Sequence, residues 1–184
     1  ENKFKLDGSL LIQLLNIACG KGYLEIVKYY INDMHATYTS NEFRGLYAAS
    51  EKGHLPVVEY LCSLPEINLS YQDITSKDSI FTVAAYKGHL DVIQFLYKKE
   101  GIDVNHKIYN NENAIFRAAE GQHYEVLKFL YEKATNHSEI NNIITMNGFN
   151  LLTLASQYDC VEIVKYLIEK EGFDVNTQNS RPLF

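Results

Sequence analysis

The sequence predicts an all-α solenoid of stacked helix-turn-helix units joined by short turns, and three observations carry that prediction. A pair of small residues recurs five times, as Ala18-Cys19, Ala49-Ser50, Ala84-Ala85, Ala118-Ala119 and Ala155-Ser156. The first alanines of these pairs lie 31, 35, 34 and 37 residues apart. At such a period each unit is one supersecondary module whose apolar face only its neighbours can bury. After each pair, at a fixed offset, come a helix break and then an amphipathic segment. The 184 residues, 46% hydrophobic and 22% charged, have the composition of a folded domain and argue against disorder.

The third unit shows the elements most plainly. Ile80, Phe81, Val83, Ala84 and Ala85 form a short apolar segment interrupted only by Thr82, and the two alanines let a neighbouring helix approach closely. This is the inner helix. Gly88-His89 ends it, because glycine takes the positive φ that a tight connection between helices requires. The outer helix follows from Leu90 to Tyr97, where apolar residues at 92, 93, 95, 96 and 97 make a helical stripe. Asp91 lies in its first turn, where the helix dipole favours a negative charge by roughly 0.3–1 kcal/mol.

The other units repeat these choices at the same offsets. Glu25, Glu125 and Glu162 match Asp91, and Pro56 takes that position in the second unit, where its missing N–H has no helical partner to lose. Ile26-Val27, Val57-Val58, Val126-Leu127 and Ile163-Val164 match Val92-Ile93, and Tyr29, Tyr60, Phe129 and Tyr166 match Phe95. The recurring ring beside a β-branched pair is read as packing between units, with the tyrosine hydroxyls reaching water. Gly101-Ile102-Asp103-Val104-Asn105 and Gly172-Phe173-Asp174-Val175-Asn176 describe short extended arms and turns between units, and Ile67-Asn68-Leu69-Ser70 is a weaker echo.

These residues resemble ankyrin repeats. The family pattern is a turn, a Thr-Pro-Leu-His opening, Ala-Ala, two variable residues, Gly-His, a second helix with Val-Val and Leu-Leu, then Gly-Ala-Asp-Val-Asn. Ala84-Ala85, Gly88-His89, Val92-Ile93 and Asp103-Val104-Asn105 match it, and the match recurs from about residue 10 to the end. The resemblance implies repeats at 9–39, 40–74, 75–108, 109–145 and 146–179, with a partial sixth at 180–184, where Arg181-Pro182-Leu183-Phe184 lines up with the opening. Three departures stand out. The histidine of the opening is replaced by Asn16, Tyr47, Thr82, Phe116 and Thr153, which puts the links it makes between units in question. At the turn, the fourth unit has Gln122 and the fifth Asp159-Cys160. The polar stretch 134–142 is longer than its counterparts and is the expected irregular joint.

The composition also limits function. A formal charge of −6 and a pI near 5.5 argue against a nucleic-acid footprint. No signal peptide or run of about 18 or more apolar residues appears in these residues, so they are expected neither to enter secretion by themselves nor to span a bilayer. Three cysteines, Cys19, Cys62 and Cys160, cannot all pair with one another, so packed, reduced thiols in the cytoplasm or nucleus are expected. His54, His89 and His123 recur once per unit about 10 Å apart, too far to share a metal whose ligands sit near 2 Å. Gly20-Lys21-Gly22 lacks P-loop spacing, and no Cys, His and acid stand in a recognised catalytic order. No cofactor and no catalytic residue are expected.

The resemblance places the turn tips and the residues after Ala-Ala on a concave face that binds a protein partner. Carried over by position, the tips are Phe43, Asp78, Glu112 and Phe149, and the inner-helix positions are Glu51, Lys52, Tyr86, Lys87, Glu120, Gln157 and Tyr158. Exposed aromatics among mixed charges suit a protein ligand. The expectation is a monomeric interaction segment of a larger intracellular protein. Two alternatives stand beside it: an array that targets or regulates a catalytic domain elsewhere, as in signalling enzymes and bacterial effectors, and hydroxylation of Asn105 and Asn176, which match the family's modified Asp-Val-Asn site.

Overall fold

A computed structural model of the chain describes residues 7–40, 43–100, 107, 112–134, 137, 140, 145 and 148–169. Among them are ten helices in five pairs: α1 (Gly8–Gly20) and α2 (Leu24–Asn32), α3 (Gly45–Lys52) and α4 (Leu55–Cys62), α5 (Ile80–Lys87) and α6 (Leu90–Tyr97), α7 (Ala114–Glu120) and α8 (Tyr124–Lys133), α9 (Leu151–Gln157) and α10 (Val161–Glu169). The described residues contain no strand, only a single antiparallel bridge between Gln72 and Ser79. The odd-numbered helices pack in sequence as one row, more closely than the even-numbered helices pack in the other. Closer spacing along one row bends a stack toward it. The odd-numbered helices therefore form the inner side.

The core runs continuously from α1 to α10 through the alanine pairs and the apolar stripes. Ala18, Ala49, Ala84, Ala118 and Ala155 are all buried at the contacts between inner helices. Val92, Ile93 and Leu96 are fully buried while Gln94 is exposed, so the outer helix has the register its stripe predicts. Glu25, Asp91, Glu125 and Glu162 fall in first turns, and Pro56 opens α4. The recurring aromatic packs as expected from the second unit on, with Tyr166 buried, but Tyr29 in the first unit is 52% exposed.

The turn between the helices of a pair is built the same way five times. The amide five residues after the first alanine donates to that alanine's carbonyl: Tyr23 to Ala18 at 3.0 Å, His54 to Ala49 at 2.9 Å, His89 to Ala84 at 3.0 Å, His123 to Ala118 at 2.8 Å and Cys160 to Ala155 at 3.0 Å. This is the closing bond of a Schellman turn, and it needs a left-handed residue just before the donor. Gly22, Gly53 and Gly88 supply it with φ of 74°, 73° and 80°. Gln122 and Asp159, at φ 64° and 55°, adopt the same conformation without glycine. A β-carbon in that region costs about 1–2 kcal/mol. Gln122→Gly is therefore expected to stabilise the chain by about 0.5–1 kcal/mol, part of the relief being offset by glycine's freedom when unfolded. Its exposed side chain gives up nothing. A urea midpoint that stays put or falls would show that the turn carries no strain.

Histidines tie each unit to the one before. His54 Nε2 lies 3.1 Å from the Gly20 carbonyl and His89 Nε2 2.9 Å from that of Glu51, which places the proton on Nε2. His123 makes the equivalent bond to the Tyr86 backbone. The accepting carbonyls belong to the last turn of an inner helix, where no intrahelical partner remains. Cys160 keeps a weaker version, with Sγ 3.5 Å from the Ala119 carbonyl. A β-carbon on Gly22, Gly53 or Gly88 would also run into the ring of His54, His89 or His123. These histidines are structural.

The substitutions in the helix opening are absorbed locally. Thr82 and Thr153 form capping boxes with Ser79 and Asn150, and Asn113 caps α7. Asn16 retains a link between units, its Oδ1 accepting from the Arg44 amide at 2.8 Å. Cys19, Cys62 and Cys160 are buried and free; burial pushes the first two thiols up to about 12 and about 11. The arms at 101–105 and 172–176, with Asn105 and Asn176, and the partial unit at 180–184 lie outside the described residues, as does most of 134–142.

Candidate functional site

Four of the expected binding positions do not lie at turn tips. Phe43, Asp78, Glu112 and Phe149 each stand immediately before the N-cap of an inner helix, at Arg44, Ser79, Asn113 and Asn150. From there the chain turns inward. Phe43 is 7% exposed, with its ring against Gly45, and Asp78 and Glu112 are buried at 2% and 7%. Phe149 is half-buried against the core. The expectation that these four are exposed tips is therefore corrected. Where the tip between the second and third units is described, it lies a few residues earlier. Asp73 builds it, its Oδ1 accepting from the amides of Thr75 and Ser76 at 2.9 Å each and its amide donating to the Asp78 carbonyl at 2.9 Å. Those amides hold its carboxyl below the usual range. Ile74, 70% exposed, crowns the turn. An isoleucine within Gln72-Asp73-Ile74-Thr75-Ser76-Lys77 was a signal that sequence reading passed over.

The inner-helix positions other than Gln157 form, with Arg117, one connected strip across four units. Glu51 pairs with Lys52 at 3.6 Å and with Lys87 of the next unit at 4.0 Å. Lys87 Nζ sits 5.0 Å from the centroid of the Tyr86 ring, and the Arg117 guanidinium covers the same ring at 4.2 Å. Arg117 also pairs with Glu120, whose other carboxylate oxygen lies 3.5 Å from the Tyr158 hydroxyl. Lys52, Lys87 and Gln157 are exposed; Glu51, Tyr86, Glu120 and Tyr158 are half-buried. The strip thus offers alternating charges around two aromatic rings whose positions are already fixed.

Beneath it lies a buried ion pair that joins the third and fourth units. Arg117 donates from Nε to Asp78 Oδ1 at 3.1 Å and from Nη2 to Oδ2 at 2.8 Å, a bidentate pair. Side-chain exposure is 12% for Arg117 and 3% for Asp78. Burial disfavours the guanidinium charge, but Asp78, Glu120 and Glu112 outweigh it, and its pKa is raised. Glu112 gains no such balance. Burial and then the Glu120 charge push its carboxyl up, with Asp78 adding to them and Arg117 opposing. A carboxyl whose pKa rises on folding contributes stability below its unfolded pKa and loses it as pH climbs through the folded value. Glu112→Gln is accordingly expected to stabilise the chain near neutral pH and to flatten that loss above about pH 4.3, the unfolded reference for glutamate. Equal slopes of urea stability against pH for the two proteins would contradict the assignment.

Among the described residues no three His, Cys, Asp or Glu side chains assemble a metal site, and no helix is long and apolar enough to cross a membrane. A row of paired helices stacked on its neighbours defines a helical repeat protein. The family model for ankyrin repeats (3 copies) matches residues 15–108 and 81–179. The chain belongs to the ankyrin repeat family, whose members generally mediate protein–protein interactions and whose fold is typically non-catalytic. Comparison with curated proteins found no significant match.

Proposed function

We propose that the chain is a protein-binding module that docks a segment of its partner along the inner side of the array, on the strip from Lys52 to Tyr158. The observation that carries this reading is the chain of contacts between units, Glu51 to Lys87, Tyr86 to Arg117 and Glu120 to Tyr158. Interface energy concentrates in a few aromatic and arginine side chains set among polar neighbours, and rings fixed in advance lose little freedom on binding. Opposite charges spaced along the strip favour a partner segment of mixed charge.

Affinity capture with the chain as bait, followed by titration of the captured partner, tests this reading. Lys87→Ala and Tyr158→Ala are expected to weaken binding about fivefold or more each, equivalent to about 1 kcal/mol. Lys98→Ala and Lys165→Ala, on the outer side, are expected to leave it unchanged. A partner that ignores the first pair and responds to the second would move the site to the outer helices.

A further inference from the structure

Charge is sorted along the strip. In the second and third units two ammonium groups face one carboxylate, Lys52 and Lys87 lying 3.6 Å and 4.0 Å from Glu51. The lysine side chains are 56% and 40% exposed and that of Glu51 30%, so the surplus at this end is positive and reaches water. In the fourth unit the surplus is reversed. The Arg117 guanidinium holds Asp78 in two bonds and pairs with Glu120, and Glu112 also lies close enough to act on its charge. One cation is thus set against three carboxylates. Asp78 and Glu112 are buried, and Glu120, with 24% of its side chain exposed, brings the negative surplus to the surface. The same charge reaches Tyr158: burial and then Glu120 raise the pKa of its hydroxyl, which lies 3.5 Å from the carboxylate. The Tyr86 ring, in contact with both Lys87 and Arg117, marks the boundary between the two ends.

We infer that the strip imposes a direction on its partner: the bound segment lies with its acidic residues over Lys52 and Lys87 and its basic residues over Glu120 and the Tyr158 hydroxyl. This rests on the reading of the strip as the docking surface. The reverse placement sets carboxylates beside Glu120 and ammonium groups beside Lys52 and Lys87. Like charges then oppose each other at both ends, and that repulsion excludes it. Lys52, Lys87 and Glu120 are accordingly the residues that choose the partner, while the Tyr86 and Tyr158 rings supply contact area that is indifferent to direction.

The probe is a phage-displayed library of random twelve-residue peptides, with an extended reach of about 40 Å, selected on the chain. Enriched peptides are expected to carry both acidic and basic residues. One of them is then synthesised, and its binding is compared on the native chain, on Lys52→Gln with Lys87→Gln, and on Glu120→Gln. The two lysines face water and their exposed pairs add little to stability, so that variant keeps its fold. Changing the peptide's acidic residues to amides is expected to weaken binding to the native chain about fivefold or more, and to the double lysine variant by less than about twofold. Changing its basic residues to glutamine is expected to weaken binding to the native chain and to the double lysine variant alike, and to lose its effect on Glu120→Gln. Acid replacement that weakens binding to the native chain and the double lysine variant equally overturns the direction, as do enriched peptides without acidic residues. If such peptides are still weakened by Tyr158→Ala, the strip stands as the docking surface without it. Peptides indifferent to Tyr158→Ala and to the lysine changes, or no enrichment at all, overturn the strip and the direction together.

Discussion

Arg117→Ala is expected to lower the unfolding free energy by about 3–5 kcal/mol, the cost of leaving one member of a buried ion pair without its partner. Asp78 keeps only 3% side-chain exposure and loses both guanidinium bonds, so its charge has neither water nor a counter-ion. The Tyr86 ring loses the cation stacked on it as well. Replacing both partners, Asp78→Leu with Arg117→Leu, is expected to restore most of the loss, because apolar side chains in that space leave no charge stranded. Urea denaturation of the two single variants and the double variant closes the cycle. A single-variant loss below about 1 kcal/mol, the value of an exposed pair, would place the contact in water.

Phe116→Ala is expected to cost a similar amount, about 3–5 kcal/mol, for a different reason. The Phe116 ring is fully buried in α7, which packs against α5, α8 and α9. Its removal leaves a cavity that stiff neighbours fill only in part. In a linear array the deficit stays where it is made. Amide exchange is expected to accelerate in α7 to α10 far more than in α1 to α4. Uniform acceleration along the chain would mean that the array unfolds as a single unit.

The fold was legible because its determinants are local and repeated. Ala84 and Gly88 stand at fixed offsets that the closing turn bond requires, and the same requirement is met at Ala18, Ala49, Ala118 and Ala155. The site was less legible. The family analogy puts Phe43, Asp78, Glu112 and Phe149 at tips, yet the residue before each N-cap is already buried or half-buried. The central member of the strip was missed altogether. Arg117 shares its position with Ile17, Ala48, Val83 and Leu154, so an arginine in an apolar column was the available sign of a buried pair. Its acceptor lies 39 residues away in another column, and only the stacking of two units brings them together.

Gln122 and Asp159 give the molecule a polarity along its length. Among the turns that close a helix pair, the three with glycine lie in the first three units and the two without it follow in the last two. Transient opening is therefore expected to be commoner at the pair-closing turns of the fourth and fifth units than at those of the first three. Glu120 and Tyr158 belong to those opening units, so a ligand spanning the strip would close them as it binds. Its grip would slow the opening of α10 without touching that helix.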